Sequence, residues 1–178
     1  MTNYVYIATS LDGFIATKDG NIDWLYEIPN PTHSDYGYAE FMSGIDAIVM
    51  GRNTFEKVLS FDEWVYDKPV FILSNSLTVI PENIADKAKI VSGEIKNLVK
   101  KLNSQGYNNL YIDGGQTIQS FLKEDLIDEI IITIFPVILG DGFPLFDKLY
   151  KKLNFKHHKT EIYHQSLVKS HYIRDRLK

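Results

Sequence analysis

The stretch that most constrains the fold runs from Leu110 to Leu122 and reads Leu-Tyr-Ile-Asp-Gly-Gly-Gln-Thr-Ile-Gln-Ser-Phe-Leu. Its pattern predicts a short buried strand, a break at Gly114 and Gly115, and a helix with one apolar face. Two adjacent glycines allow backbone angles that are closed to other residues, and they let a ligand approach the main chain. The first amides of the helix would then suit a phosphate. Taken alone, the pattern is equally compatible with a tight turn that binds nothing.

A second stretch, from Asp46 to Glu56, repeats this plan. An apolar strand leads to Gly51, and the predicted helix after it opens with Arg52 and the hydroxyl residue Thr54. Two strand–glycine–helix junctions in one short chain indicate a dinucleotide that is held at both ends.

Composition narrows the class of protein. The chain has 178 residues, of which 44% are hydrophobic, so we expect one globular domain spanning residues 1–178. A net charge of −4 with scattered basic residues argues against a nucleic-acid partner. The absence of cysteine removes disulfides and thiolate metal sites, and we predict no metal. The first residues lack the pattern of a signal peptide and no apolar run is long enough to span a membrane, so we expect a soluble cytoplasmic protein.

Hydrophobic periodicity predicts strands that alternate with helices. A helix beginning near Asp35 would bury Tyr38, Phe41 and Met42. The other predicted strands lie at residues 4–9, 45–50, 68–76, 89–92, 110–113 and 128–136, with helices at 54–59, 94–103 and 116–122. The tail reads as two antiparallel strands, 155–162 and 166–173, joined by a turn near His164 and Gln165. This is the pattern of an α/β fold with a mainly parallel mixed sheet and a C-terminal antiparallel hairpin.

Ligands of open α/β sheets bind beyond the carboxyl ends of the strands. This rule collects residues 10–16, 51–54, 74–76 and 113–117 along one rim of the predicted sheet. A guanidinium and several hydroxyls are natural partners for the additional phosphate of NADP, so Arg52 could bind it together with residues 74–76. The alternative for Arg52 is an ordinary surface salt bridge.

The motifs Met-Gly-Arg-x-Thr-Phe, Leu-Ser-Asn-Ser and Asp-Gly-Gly-x-x-Ile follow one another in this order. With them, the chain from Tyr4 to about Phe146 resembles the dihydrofolate reductase superfamily, particularly the branch similar to the reductase domain of riboflavin biosynthesis. The resemblance implies a dihydrofolate reductase-like three-layer fold and NADPH as cofactor. The implied cofactor contacts are Ala8, Ile15 and Ala16 for the nicotinamide, Gly51, Arg52, Asn53 and Thr54 for the phosphates, Ser74, Asn75 and Ser76 for the adenosine side, and Gly114, Gly115, Gln116, Thr117 and Ile118 for the pyrophosphate.

The resemblance also suggests the catalytic residues. Dihydrofolate reductases place a carboxylate near the start of the helix that precedes the Met-Gly-Arg strand, and this position corresponds to Asp35. In an apolar cleft its pKa would be raised, as a proton donor requires. The alternative is that Asp35 only caps the helix, with Glu40 as an outside candidate. Thr133 matches the family pattern. Asp113 resembles the acidic residue before the paired glycines of the riboflavin-pathway reductases.

The substrate follows from where the chain departs from the folate enzymes. Asp113 stands where those enzymes have an apolar residue, and Gln119 stands where they have a tyrosine. Lys68 stands where they use an arginine to bind the carboxylate of the folate tail. We therefore favour a pyrimidine or another small heterocycle over folate. Trp24 could contact it beside Asp35, or could pack in the core.

These observations predict an NADPH-dependent oxidoreductase most like 5-amino-6-(5-phosphoribosylamino)uracil reductase. The alternatives are a dihydrofolate reductase, a non-catalytic nucleotide-binding module, and a protein that reduces flavin through adventitious binding. Residues 130–139 are too apolar for an open sheet edge, so we expect a homodimer that uses the late strands. The superfamily further implies a cis peptide bond between Gly114 and Gly115, which would turn successive amides toward the pyrophosphate.

Overall fold

Within residues 1–176, ten strands and four α-helices form. The computed structural model describes residues 1–176. The strands are β1 (Thr2–Thr9), β2 (Phe14–Ala16), β3 (Ala47–Gly51), β4 (Val70–Leu73), β5 (Ala88–Val91), β6 (Asn109–Asp113), β7 (Glu129–Ile134), β8 (Phe143–Pro144), β9 (Phe155–Tyr163) and β10 (Leu167–Arg174). The helices are α1 (Tyr38–Ser43), α2 (Arg52–Leu59), α3 (Ile95–Ser104) and α4 (Gly115–Lys123).

Eight of the strands form one sheet in the order β5-β4-β3-β6-β1-β7-β10-β9. The first six strands in this order, β5, β4, β3, β6, β1 and β7, run parallel to one another. Strand β10 pairs antiparallel with β7, and β9 pairs antiparallel with β10 at the edge. Strands β2 and β8 pair separately. The predicted α/β class, the mainly parallel mixed sheet and the antiparallel C-terminal hairpin are confirmed.

Helices cover both faces of the sheet because each carries one apolar stripe. On one face, α3 and α4 pack through Leu98 and Phe121 against Val5 and Ile112. On the other face, α1 and α2 pack against β3 and β6, with Phe41 and Phe55 among the contacting side chains. Two helical layers with a sheet between them are the predicted three-layer arrangement. Within residues 1–176, no helix combines the length and apolarity needed to cross a membrane.

The C-terminal hairpin gives the late apolar run its neighbours. Strand β7 pairs with β1 on one side and with β10 on the other, so residues 129–134 lie inside the sheet. The apolar run therefore has neighbours on both sides within the chain and needs no partner molecule to cover it, and the homodimer stays a prediction. The edge strand on this side is β9, which carries several charged and histidine side chains. Charged residues on an edge strand oppose its pairing with another chain. Its turn contains His164 and Gln165, both with positive φ, as predicted for a tight connection.

Candidate active site

The predicted ligand-binding segments converge at the carboxyl ends of the parallel strands. Register aligns Met50 with Asp113 and Gly51 with Leu73, so the segments that follow β3, β4 and β6 leave the sheet at neighbouring points. The Gly51 and Gly114 junctions, which lie far apart in the sequence, are thereby brought side by side. The rim predicted from the sequence is present.

Two helices start at this rim without a side-chain cap. Gly51 precedes α2 and Gly114 precedes α4, and neither helix start receives a side-chain capping bond. The first amides of a helix have no acceptor within the helix, and together they attract an anion. Residues 52–54 and 115–117 therefore present two sets of amide donors from adjacent strands, which suits a pyrophosphate.

The glycines at this rim are required by close contacts. A Cβ on Gly51 would lie 2.9 Å from Oγ1 of Thr117, and one on Gly114 would overlap the hydroxyl of Thr54. A Cβ on Gly115 would lie 2.7 Å from Cδ1 of Ile15. These contacts join three of the predicted cofactor-binding segments, residues 15–16, 51–54 and 114–118, into one cradle that any larger residue would partly fill.

The bend between β6 and α4 does not use the predicted cis bond. No peptide bond within residues 1–176 is cis, so the expectation for Gly114–Gly115 is wrong. Gly114 instead has φ 87° and ψ 135°, angles that only glycine adopts readily. This conformation turns the chain directly into α4, and the amide of Ile118 then bonds to the Gly114 carbonyl at 2.9 Å. A trans peptide with a positive φ thus supplies the turn that the cis bond was expected to make.

The predicted adenosine end is a polar turn beside Arg52. Oγ of Ser74 accepts hydrogen bonds from the amides of Ser76 and Leu77, at 3.2 and 3.0 Å. Arg52 donates through Nη1 to Oγ of Ser76 at 3.1 Å, and its Nε lies 3.5 Å from Glu56. The guanidinium therefore reaches the turn as predicted, and it also makes the surface salt bridge that was the alternative.

Asp113 lies at the end of β6, directly before the glycine junction. Its Oδ1 accepts from the Gly114 amide at 2.8 Å and its Oδ2 accepts from the Tyr66 hydroxyl at 3.1 Å. Burial raises the pKa of the Asp113 carboxyl, although these hydrogen bonds oppose the shift. The residue therefore combines the position and the perturbed pKa that are typical of a catalytic acid.

Tyrosines surround this carboxyl. Burial raises the pKa of Tyr38, Tyr66 and Tyr111, and the negative charge of Asp113 raises each further. The Tyr111 hydroxyl donates to the carbonyl of Tyr6 at 3.0 Å. These phenols stay protonated, so the surroundings of Asp113 are aromatic and weakly polar.

Asp35 has the environment of a helix-capping residue. Its carboxylate accepts from the amides of Gly37 and Ala39, at 2.9 and 2.8 Å, and the residue is exposed. These two bonds lower the pKa of Asp35. The expected apolar cleft and raised pKa are therefore wrong, because the carboxylate faces solvent and binds the start of α1. Glu40 is exposed as well.

The remaining predicted residues lie on the sheet face covered by α1. Thr133 is 6% exposed and aligns with Ala8 on the neighbouring strand. Trp24 is 5% exposed and packs edge-to-face against Phe135 at 5.4 Å, so it takes the core position that the sequence left open. A substrate contact by Trp24 would require this packing to open.

Sequence reasoning missed the tyrosines around Asp113. Tyr111 could have been found, because two residues along a strand return to the same face and therefore place Tyr111 with Asp113. Tyr66 could not, because it lies in the irregular segment between α2 and β4, where no periodicity predicts a direction.

Comparison with known proteins identifies the class of protein that this fold and rim define. Residues 4–169 match the family model described as the RibD C-terminal domain, and the chain belongs to this family. It is 36% identical over 174 residues to the uncharacterized protein YwjB of Bacillus subtilis (strain 168), covering 96% of both chains. It is 52% identical to a protein of Shewanella sp. PV-4 whose assignment to riboflavin biosynthesis is provisional. That crystal structure has a TM-score of 0.96, with 99% of this chain and 100% of the other covered.

More distant structures share the fold. A Thermotoga maritima deaminase/5-amino-6-(5-phosphoribosylamino)uracil reductase has a TM-score of 0.73 at 16% identity, covering 98% of this chain and 56% of the other. A dihydrofolate reductase from Enterococcus faecalis, complexed with NADP(H), has a TM-score of 0.66 at 14% identity, covering 98% and 97%. The dihydrofolate reductase-like fold and the suspected superfamily are confirmed, and membership of the family supports a reductase-like role in the riboflavin pathway.

Proposed function

We propose that this protein is a cytoplasmic, NADPH-dependent reductase of a small pyrimidine, most like 5-amino-6-(5-phosphoribosylamino)uracil reductase. The observation that carries the proposal is the position of Asp113. A carboxyl with a raised pKa lies among tyrosines and bonds to the first glycine of a junction where two uncapped helices begin. A carboxyl with a raised pKa and two sets of helix-start amides therefore share one rim, which supports a reductase that binds a dinucleotide.

The rim fits NADPH. The amides at residues 52–54 and 115–117 would bind the phosphates, and Gly51 and Gly114 leave the space that a side chain would fill. Arg52 and the Ser74–Ser76 turn would bind the 2′-phosphate, since Arg52 already reaches that turn. Ile15, in contact with Gly115, would border the nicotinamide. When bound, NADPH supplies a hydride.

The residues of this chain would manage the proton. When a C=N or C=O bond is reduced, its carbon gains the hydride and its electron pair moves to the heteroatom, which must then be protonated. Asp113 holds a proton more readily than an exposed carboxyl does and is the proposed donor. Tyr66, hydrogen-bonded to Asp113, would orient the carboxyl. Asp35 is not the proposed donor, because its lowered pKa keeps it ionised and its carboxylate faces solvent.

The acid also separates the enzyme from the non-catalytic module. Burying a carboxyl among tyrosines costs free energy, and nucleotide binding alone does not require it. Groups with such perturbed pKa values cluster at active sites. Aromatic neighbours and a carboxyl able to bond to ring nitrogens favour a pyrimidine. These groups offer no partner for the carboxylate of a folate tail.

The proposal is tested by binding first and turnover second. NADPH is titrated by fluorescence, and 5-amino-6-(5-phosphoribosylamino)uracil, dihydrofolate and flavin are then supplied while NADPH absorbance is followed. We expect turnover with the uracil, a large loss of turnover in Asp113→Asn, and unchanged NADPH affinity in that variant. Asp35→Asn is the matched control and should remain active, because Asn caps a helix about as well as Asp.

The results separate the alternatives. NADPH binding without turnover of any substrate would support the non-catalytic module, and turnover of dihydrofolate alone would support the folate enzyme. An active Asp113→Asn variant together with an inactive Asp35→Asn variant would return the catalytic role to Asp35.

A further inference from the structure

The chain turns sharply at Tyr36 and Gly37, immediately before α1. Both residues have positive φ, 56° at Tyr36 and 85° at Gly37. For a tyrosine this conformation is unfavourable, and it persists only where the surroundings hold it. We refer to Tyr36 and Gly37 as the α1 corner.

The carbonyl of Tyr36 receives three donors. Nζ of Lys169 lies 2.7 Å from it, the Tyr6 hydroxyl 2.8 Å and the Tyr163 hydroxyl 3.3 Å. Of the three, the ammonium of Lys169 makes the shortest bond and the only one assisted by a full charge. It also lies close over Gly37, where an added Cβ would be 3.0 Å from Nζ.

Lys169 is built into the sheet. Register aligns Ala8, Thr133, Lys169 and Glu161 on four adjacent strands. Only 11% of the Lys169 side chain is exposed, and Nζ pairs with Glu161 at 3.0 Å. Burial lowers the pKa of Lys169, but contacts with Tyr163 and Glu161 outweigh this and raise it overall. The ammonium is therefore charged at neutral pH, and the carboxylate of Glu161 holds it in place.

The α1 corner leads directly to side chains of the candidate active site. Tyr38 is the first residue of α1, and the charge of Asp113 acts on it. Phe41, one turn later, packs edge-to-face on Tyr111 at 5.3 Å. Because α1 has only six residues, the direction of the chain at the corner sets where these aromatic rings lie.

We propose that Lys169 is a positioning residue of this site, which holds the Tyr36 carbonyl and thereby fixes α1 and its aromatic side chains over Asp113. The inference deepens the proposed function and rests on it for the identity of the substrate. Nζ of Lys169 bonds to the Tyr36 carbonyl and to Glu161, so its effect on the surroundings of Asp113 passes through the corner.

A matched pair of lysines tests this role. Lys159 bridges the same carboxylate, Glu161, at 3.2 Å, but its side chain is 61% exposed, and of the two lysines it is Lys169 that bonds to the Tyr36 carbonyl. Lys169→Met should raise amide hydrogen exchange at residues 34–39 by about tenfold, since a charge-assisted bond to a strained corner is lost. Lys169→Arg should restore most of the protection. Lys159→Met should exchange like the wild type.

Kinetics provide the second readout. In Lys169→Met we expect KM for the uracil substrate to rise by about tenfold, with smaller changes in kcat and in NADPH affinity. The reason is that the aromatic side chains of α1 are displaced while the residues of the cofactor rim stay in place. Lys159→Met should leave both constants unchanged. If Lys169→Met does not fold, Tyr163→Phe removes another donor to the same carbonyl and should raise exchange at residues 34–39 more modestly.

Unchanged exchange at residues 34–39 in folded Lys169→Met, or in Tyr163→Phe where Lys169→Met does not fold, would overturn the inference. An equal rise in Lys159→Met would also overturn it, because the effect would then belong to the charge of Glu161. If the wild type reduces no pyrimidine, the proposed function fails by itself, and the exchange comparison still decides whether Lys169 holds the corner.

Discussion

Alanine at Gly114 and alanine at Gly115 should fail in different ways although the two positions are adjacent. Gly114 has φ 87° and ψ 135°, a conformation that costs a residue with a side chain about 1–3 kcal/mol. The added Cβ would also overlap Thr54, whose Cβ lies 3.2 Å away. For a chain of this size, 1–3 kcal/mol corresponds to a fall in Tm of roughly 2–12 °C. Gly114→Ala should therefore lower stability and weaken NADPH binding together.

Gly115 has a helical backbone that alanine adopts without strain. Its added Cβ would meet Cδ1 of Ile15 at 2.7 Å, which is the far end of a flexible side chain that can move aside. Gly115→Ala should therefore unfold within about 2 °C of the wild type, which for a chain of this size is about 0.5–1 kcal/mol at most. It should nevertheless lose NADPH affinity, because Ile15 is displaced at the rim.

Thermal unfolding and fluorescence titration of NADPH measure both effects. Thr54→Ala in the Gly114→Ala background should recover the part of the stability that is due to overlap, and it should leave the backbone part. Wild-type stability in Gly114→Ala would refute the argument from φ, and equal losses of stability at the two positions would refute the distinction between them.

Three further predictions concern charge and assembly. Arg52→Ala should weaken NADPH by roughly ten- to a hundredfold and NADH much less; equal losses in titrations of both cofactors would assign Arg52 to the pyrophosphate or the fold. Because the pKa of Asp113 is higher in the folded chain than the usual value of 3.8, the wild type should lose stability relative to Asp113→Asn as pH rises through the interval between the two pKa values. Urea unfolding that gives a constant difference from acid to neutral pH would contradict this. We also propose that the protein is a homodimer, through the exposed apolar side chains of the hairpin such as Ile162 (68% exposed), and a monomer in light scattering at micromolar concentration would disprove it.

The sequence predicted those parts of the fold that depend on periodicity. Strands β1, β3 and β6 are apolar runs flanked by glycine or polar residues, and their assignment needed no tertiary information. The neighbours of β7 could not be predicted, because a run of isoleucines has the same composition at an edge and in the interior. What decides between them is the return of β10, which lies more than thirty residues further along the chain.

The candidate site was predictable at its glycines and less so at its acids. Gly51 and Gly114 mark close approaches that a Cβ would crowd, so the motif indicates where the junctions lie. The geometry at Gly114 nevertheless came from a positive φ, because glycine permits several routes through the same bend. Asp35 and Asp113 are both aspartates, and only their surroundings give them opposite pKa shifts. Asp35 is exposed and accepts hydrogen bonds from two amides, which lower its pKa, whereas burial among tyrosines raises the pKa of Asp113.

The place of β1 in the middle of the sheet has a consequence for how the chain matures. Thr2 pairs with Asn109 and Tyr4 pairs with Glu129, so β1 lacks both of its neighbours until synthesis has passed β7. Contacts this distant in sequence slow folding, and an unpaired apolar strand is prone to aggregation meanwhile. Lys169 arrives later still, on β10. Until β10 has been made, the Tyr36 carbonyl lacks the ammonium of Lys169, so the α1 corner is completed only after the strands that carry the rim.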